Sequence, residues 1–248
     1  MSHSIMILAH TVRQTQIADR IRDRLMSMGL RAEAAFNNGR PGPEEVLRSL
    51  AESGSDTVMI FPLTIAEGPL TVEIMPGRIG MPDNSCSYTY VGSINVTIRF
   101  MTALGQDPNV LDAVFGNAVD SGAKPGDGVV ILLRDQKTSS GTRMAERIAE
   151  TFRSHGFPDV EICSIDHGGS PIGPAVERLV SKGCPSVVIA PMFLTDAPYA
   201  DLLKNELGIT GGGSAKVGDS DIRVIVSEPI GHGRAIIDSV CERIPDDW

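Results

Sequence analysis

An internal repeat is the strongest constraint on what this chain can fold into. Gly54 and Pro62 flank an apolar segment, and Gly183 and Pro191 flank a similar segment 129 residues later in each case. Only two copies are present, so the pattern indicates a duplicated protein and not a solenoid. We therefore predict two similar domains, residues 1–123 and 124–248, joined through a linker rich in turn-forming residues around 121–128.

The first apolar run begins almost at the N-terminus and ends at His10. A run this short and this apolar is typical of a strand buried on both faces, as in parallel sheets. Apolar residues at helical spacing follow from Ile17 to Leu25, so the unit is strand, loop, helix. Ligands of open α/β sheets bind beyond the carboxyl ends of the strands. His10 is therefore a candidate functional residue, with an ordinary hydrogen-bonded histidine as the alternative.

Further elements follow from the same patterns. We predict strands over 31–36, 57–63 and 86–100, and helices over 43–50, 109–119 and 235–244. The second half repeats this order, with strands over 129–134, 160–165 and 186–192 and a helix over 144–149. The glycine-rich stretch 210–214 is interpreted as a flexible connection, because it does not directly join a strand to a helix start.

Composition excludes several classes of protein. A formal charge of −9 over 248 residues argues against nucleic acid or an anionic membrane as partner. The four cysteines form no C-x-x-C pair, which is typical of reduced thiols rather than of a disulfide framework or a zinc site. No apolar run reaches membrane-spanning length, and no leader segment precedes the first strand. These features predict a cytoplasmic protein.

Several motifs occur in a fixed order along both halves. In the first half they are Ala9-His10-Thr11-Val12-Arg13, the loop from Phe36 to Pro43, and Phe61-Pro62-Leu63 with the following Glu67 to Leu70. Glu73 to Pro76 and the turn from Ala103 to Pro108 complete the series. Together they resemble the class II tetrapyrrole chelatases, the CbiX and SirB type of sirohydrochlorin cobaltochelatase or ferrochelatase. The resemblance implies an α/β fold of two flavodoxin-like lobes, each a parallel sheet flanked by helices, with a cleft between them.

The resemblance also implies a set of site residues. The family's first metal-binding histidine falls on His10, its second histidine on Leu70, and its acidic residue on Asn37 or Asn38. In the C-terminal half the corresponding positions hold Arg134, Tyr199 and Asp166-His167. We expect His10 to be catalytic, His10 and His167 to bind metal, and five further residues to contact substrate: Arg13, Asn37, Leu70, Arg134 and Tyr199.

Some of these assignments have alternatives. Pairing His10 with His167 is an inference from the symmetry of the two halves, and His167 is otherwise a turn residue. Tyr199 either packs against a macrocycle or belongs to the core. Arg13, Arg40, Arg78 and Arg134 are in or near strand-end loops, where each either pairs with ligand carboxylates or is a solvated surface residue.

The implied reaction is insertion of Co²⁺, or else Fe²⁺ or Ni²⁺, into sirohydrochlorin or a related tetrapyrrole. A neutral imidazole suits it, because it binds first-row metals and accepts a proton near neutral pH. The metal would be a substrate, and no permanently bound cofactor is expected. The alternatives are a non-catalytic tetrapyrrole or metal carrier, or a binder of another small anion. The sequence leaves open whether the chain forms a homodimer.

Overall fold

The computed structural model describes residues 2–81, 83, 87–91, 94–134, 139–165, 172–217, 220–246 and 248. The described part divides into two compact units. The N-terminal unit comprises Met1–Gln106 with Ile236–Trp248, and the C-terminal unit comprises Asp107–Ala235. Each contains one five-stranded sheet flanked by helices, which confirms the predicted α/β class. No helix of the described residues combines the length and apolar content needed to cross a bilayer.

The N-terminal unit is built on a sheet with strand order β2-β1-β3-β5-β4. The first four strands in that order are parallel, and β4 runs antiparallel to β5 at the edge. The strands are β1 (His3–Thr11), β2 (Ala32–Asn38), β3 (Thr57–Pro62), β4 (Ser87–Val91) and β5 (Ile94–Phe100). The helices are α1 (Thr15–Ser27), α2 (Pro43–Glu52), a π-helical turn at Leu70–Ile74 and the short α3 (Met75–Gly77).

The C-terminal unit repeats this arrangement, with strand order β7-β6-β8-β10-β9 and β9 antiparallel at the edge. Its strands are β6 (Gly128–Leu133), β7 (Val160–Ser164), β8 (Ser186–Pro191), β9 (Gly213–Val217) and β10 (Ser220–Val226). Its helices are α4 (Pro108–Asp120), α5 (Ser139–Ser154), α6 (Ile172–Ser181) and α7 (Ala197–Leu207), and α8 (Ala235–Glu242) lies almost wholly in the N-terminal unit.

Strand β1 is the centre of the N-terminal unit. Six consecutive residues, Ser4 to Ala9, are fully buried, as the sequence predicted for a strand covered on both faces. Met6 and Leu8 point to one face and belong to a core cluster with Leu47 of α2 and Met75 of α3. Each such side chain contributes about 1.5–3 kcal/mol by its burial. This packing fixes the direction of β1 and hence the place of its carboxyl end.

Two predictions of secondary structure were wrong in detail. The segment predicted as one strand over 86–100 contains two strands, β4 and β5, which pair as an antiparallel hairpin. The glycine-rich stretch predicted as a flexible connection enters β9, where Gly213 pairs with Val224 and Ser214 pairs with Arg223. In the first case both strands are rich in residues with high strand propensity, and the prediction missed only the division between them. In the second, pairing with β10 recruits residues with little strand propensity of their own.

The compact units do not follow the sequence repeat. The predicted division at residue 123/124 separates two repeats, whereas the last helix of each repeat belongs to the compact unit of the other. Arg243, just after α8, donates from Nη2 to the carbonyl and hydroxyl oxygens of Thr102, both at 2.8 Å. Its guanidinium also lies over the Phe61 ring, 5.4 Å from the centroid. The C-terminal segment therefore completes the N-terminal unit.

This docking predicts that Arg243→Ala destabilises the N-terminal unit. We expect the free energy of unfolding to fall by about 2 kcal/mol, because the substitution removes two hydrogen bonds and a cation–π contact. Urea unfolding followed by tryptophan fluorescence measures the loss, because the single tryptophan, Trp248, stacks on His3 with ring centroids 4.5 Å apart. Arg153→Ala, at an exposed position of α5, is the control and should change stability by less than about 0.5 kcal/mol. Equal losses for the two variants would contradict the prediction.

Candidate functional site

The site is built at the carboxyl ends of β1 and β3. The chain goes from β1 outward to β2 and then returns to β3 on the opposite side of β1. This reversal is the topological switch point, where open α/β sheets bind their ligands. His10 lies at this end of β1 and is half-buried. The structure therefore places His10 at the edge that the sequence predicted.

Gln14 joins the two strands at this point. Its Oε1 accepts from the backbone N–H of His10 at 2.7 Å, and its Nε2 donates to the carbonyl of Leu63 at 3.2 Å. Gln14 precedes the first residue of α1, yet its side chain does not cap that helix. The amide instead holds the backbone of His10 against the end of β3. Sequence reasoning missed this role, because a glutamine four residues after a strand end carries no distinctive pattern.

Asn37 is the neighbour of His10 on β2. The register pairs Ala9 with Phe36 and Thr11 with Asn38, so His10 lies opposite Asn37. Neighbouring strands are about 4.8 Å apart, and residues in register on parallel strands point to the same face. Asn37 is 7% exposed, its Oδ1 is buried with no hydrogen-bond partner among the described residues, and its Nδ2 donates to Asn38 Oδ1 at 3.4 Å.

Leu70 lies on the same side of the sheet. It begins the π-helical turn after β3 and packs, partly buried, against the core cluster that contains Met6 and Leu8. His10 follows these two residues on the same face of β1 by the alternation of a strand. His10, Asn37 and Leu70 thus share one side of the N-terminal sheet near its carboxyl edge. Leu70 offers an apolar surface there and no metal ligand.

The loop after β3 adds two groups that sequence reasoning did not assign. Thr64 Oγ1 and Glu67 Oε1 are buried without a hydrogen-bond partner among the described residues. Each unsatisfied buried group costs about 1–3 kcal/mol, so such atoms at the ligand edge of a sheet point to function. Glu67 lies three residues before Leu70, where the family resemblance predicts a histidine. This position in the sequence could have identified Glu67 as a candidate.

Arg13 follows β1 directly, in the 3₁₀ turn Val12–Gln14, and is exposed. It makes no ion pair with any residue in the described ranges. Its position beside the switch point is compatible with a contact to ligand carboxylates, and this role stays a prediction.

The predicted residues of the C-terminal unit are placed differently. Arg134 directly follows β6 and is exposed, and its carbonyl accepts from Ser164 Oγ at 2.9 Å. Tyr199 is 2% exposed and packs against Phe193 with ring centroids 5.4 Å apart. Burial raises the pKa of the Tyr199 phenol. These features favour the core-packing alternative for Tyr199. His167 lies outside the described residues.

No three His, Cys, Asp or Glu side chains of the described residues are gathered closely enough to hold a metal ion. The described part of the site therefore consists of one imidazole, the amide of Asn37 and the oxygens of the loop after β3. Such a set can bind a cation transiently and accept a proton.

Comparison with known proteins defines the class. The model of the CbiX family matches the chain twice, over residues 10–120 and 128–247. The chain belongs to the CbiX family, the class II chelatases that the sequence motifs resemble. One curated relative, the sirohydrochlorin cobaltochelatase of Sulfolobus acidocaldarius, is 26% identical over 117 residues, which cover 47% of this chain and 88% of that protein.

Solved structures show the same fold. SirB from Bacillus subtilis with Fe³⁺ matches with a TM-score of 0.69 and 17% identity, over 98% of this chain and 94% of that one. A Deinococcus radiodurans protein, described as similar in structure to chelatases with two additional novel domains, matches with a TM-score of 0.75 and 20% identity. That match covers 97% of this chain, which spans about half, 54%, of the Deinococcus protein.

The geometry around Gln14 predicts that Gln14→Ala loosens the end of β1. The free energy of unfolding should fall by about 1–2 kcal/mol, because the variant loses one hydrogen bond to each of two strands. Urea unfolding measures the loss, and the ring resonances of His10 in NMR spectra should shift or broaden. Gln16→Ala, at an exposed position of α1, is the matched control and should leave both readouts unchanged. A His10 spectrum identical to wild type would contradict the positioning role.

Proposed function

We propose that the protein inserts a divalent metal, Co²⁺ in the first place, into sirohydrochlorin or a related tetrapyrrole. One observation carries the proposal: both halves belong to the CbiX family, and the histidine of the family motif is retained as His10 at the switch point of the N-terminal sheet. The name of the Sulfolobus relative supports cobalt and sirohydrochlorin as the substrates.

Metal insertion does not require the protein to bind the metal permanently. Four ring nitrogens of the macrocycle take up the metal, so the chain must supply only a transient ligand and an acceptor for the two pyrrole protons. A neutral imidazole performs either task near neutral pH. His10 is the candidate for both, and its half-buried position gives it access to ligand while the backbone is held by Gln14.

The neighbours of His10 have complementary roles in this proposal. The buried oxygens of Asn37 and Glu67 are acceptors that favour a cation or an N–H group nearby. The apolar surface of Leu70 suits the face of a flat macrocycle. Arg13 is available for a carboxylate of the tetrapyrrole rim, and Arg134 would have the same role in the C-terminal unit. His167 is proposed as a second metal ligand.

A second candidate function is non-catalytic binding of a tetrapyrrole or a metal. The observation that favours it is Leu70, which stands where the family resemblance predicts the second histidine. A single imidazole binds a first-row metal weakly. Without the second imidazole, the protein could therefore lose metal insertion and still bind the tetrapyrrole.

The two candidates are separated by a direct assay. Purified protein with sirohydrochlorin and Co²⁺ should change the absorption spectrum faster than the two substrates alone. His10→Ala should reduce this rate to the uncatalysed one. His232→Ala is the control, because His232 is exposed and its Nδ1 lies 2.7 Å from Glu228 Oε2 in the C-terminal unit.

The outcomes of this assay are distinct. An unchanged rate for His10→Ala would exclude His10 as the catalytic group. Tetrapyrrole binding without faster insertion in the wild type would favour the carrier. Absence of both binding and insertion would contradict both candidates.

Leu70→His tests how much the absence of a second imidazole lowers the rate of metal insertion. We expect insertion of Co²⁺ to become about tenfold or more faster, because a second imidazole strengthens the transient hold on the metal. Leu70→Phe is the matched control, since it introduces a ring of similar shape without a ring nitrogen. A gain for Leu70→Phe equal to that for Leu70→His would show that ring shape and not ligation is responsible.

A further inference from the structure

A pocket of about 690 Å³ opens in the N-terminal unit beside the carboxyl end of β2. It is lined by the loop between β2 and α2, by α2 itself and by Arg78, which follows α3. Its volume lies within the range of about 300–1,000 Å³ that is usual for small-molecule sites. Asn37 belongs to this lining and also lies opposite His10, so the pocket adjoins the candidate site.

Two of the three arginines in the lining are uncommitted. Arg48 pairs with Glu44 at 2.8 Å, one turn earlier on α2. Arg40 and Arg78 are exposed, and their side chains make no hydrogen bond or ion pair with the described residues. Both guanidinium groups are therefore available to a ligand that enters the pocket.

None of the three glutamates of the lining forms an ion pair with these two groups in the described part of the chain. Glu44 is held by Arg48, and Glu45 accepts from the backbone N–H of Gly42 at 3.4 Å. Glu52 is the last residue of α2, eight positions after Glu44, and thus about 12 Å further along the helix. The lining thus holds three arginines and three glutamates, and Arg40 and Arg78 are the two arginines whose side chains have no carboxylate partner among the described residues.

The loop that carries Arg40 is tightly folded. The backbone N–H of Phe36 donates to the carbonyl of Pro41 at 2.9 Å, which turns the loop back onto β2. Gly39 approaches its neighbours so closely that a Cβ there would lie 2.7 Å from Val12 Cγ1 and 3.0 Å from Phe36 Cβ. Arg40 therefore leaves a backbone that is already in place before a ligand binds, which lowers the entropic cost of binding.

Asn37 supplies an independent indication of a ligand. Its side chain is 93% buried, and its Oδ1 has no partner among the described residues although it lines the pocket. A buried amide oxygen of this kind requires a donor. A ligand with both N–H groups and carboxylates would satisfy Asn37 and the two arginines together. A free-base tetrapyrrole with an acidic rim has both.

We propose that this pocket is a carboxylate subsite, in which Arg40 and Arg78 bind two carboxylates of the ligand's rim. Identification of that ligand with a tetrapyrrole rests on the proposed function, whereas recognition of clustered carboxylates rests on the pocket itself. The two unpaired guanidinium groups give the ligand's carboxylates direct partners on a chain whose net charge of −9 repels a polyanion. The arrangement draws one edge of the macrocycle toward β2, beside His10.

The test compares Arg40→Gln, Arg78→Gln and the double variant Glu44→Gln/Arg48→Gln in the full chain. The double variant is the matched control, because it removes an arginine and its ion-pair partner from the same pocket and leaves the net charge unchanged. Equilibrium binding is measured by absorbance with sirohydrochlorin and, separately, by calorimetry with propane-1,2,3-tricarboxylate. Thermal midpoints are recorded to show that the exposed substitutions leave the fold intact.

We expect Arg40→Gln and Arg78→Gln each to weaken sirohydrochlorin binding by about tenfold or more, as the loss of a charge-assisted hydrogen bond does. The control Glu44→Gln/Arg48→Gln should change it by less than about twofold. Added salt should weaken wild-type binding more than binding by the double variant Arg40→Gln/Arg78→Gln.

The outcomes separate this inference from the proposed function. Wild-type sirohydrochlorin binding that is equally strong in all three variants overturns the subsite and leaves the proposed function standing. Binding of the tricarboxylate that depends on Arg40 and Arg78, without any binding of sirohydrochlorin, supports the subsite and contradicts the proposed function. Absence of binding for both probes overturns both.

Discussion

The burial of β1 on both faces is the constraint on which the N-terminal unit depends. Because Ser4 to Ala9 are fully enclosed, no side chain of the strand can reach a ligand before its carboxyl end. The strand order reverses at β1, with β2 on one side and β3 on the other, and this switch point is where parallel sheets have a crevice at that end. His10 is the first residue after this buried segment. It is partly exposed because the packing of β1 ends at Ala9.

Around that histidine, the chain has an unusual balance of groups for its family. An imidazole is retained at His10, whereas an amide at Asn37 and an alkyl side chain at Leu70 replace the groups that the family pattern predicts. The loop after β3 meanwhile contains a buried carboxylate oxygen on Glu67 without a partner in the described residues. Beside the one imidazole, the polar side-chain atoms described here are oxygens of Asn37, Thr64 and Glu67, which accept hydrogen bonds.

Much of this could be predicted from the sequence, because the information was local. The apolar runs and helical spacing give the strands and helices of both halves, and the duplicated order gives the class of fold. The β4–β5 hairpin is also local, but its two strands were read as one because both are rich in strand-forming residues. The exchange of α4 and α8 between units was not predictable in this way, since it depends on packing between distant segments. Strand-end position also predicts which residues reach the ligand edge, but it does not reveal that Tyr199 turns into the core or that Gln14 spans two strands.

The exchanged C-terminal helix has a consequence for biosynthesis. The ribosome releases the sheet of the N-terminal unit early, but residues 236–248, which complete that unit, are synthesised only after the whole C-terminal unit. The sheet of the N-terminal unit therefore lacks residues 236–248 while more than a hundred further residues, 107–235, are translated. During that interval it is open to chaperones and to aggregation, and truncation of the chain before residue 236 would destabilise the unit whose sheet was made first.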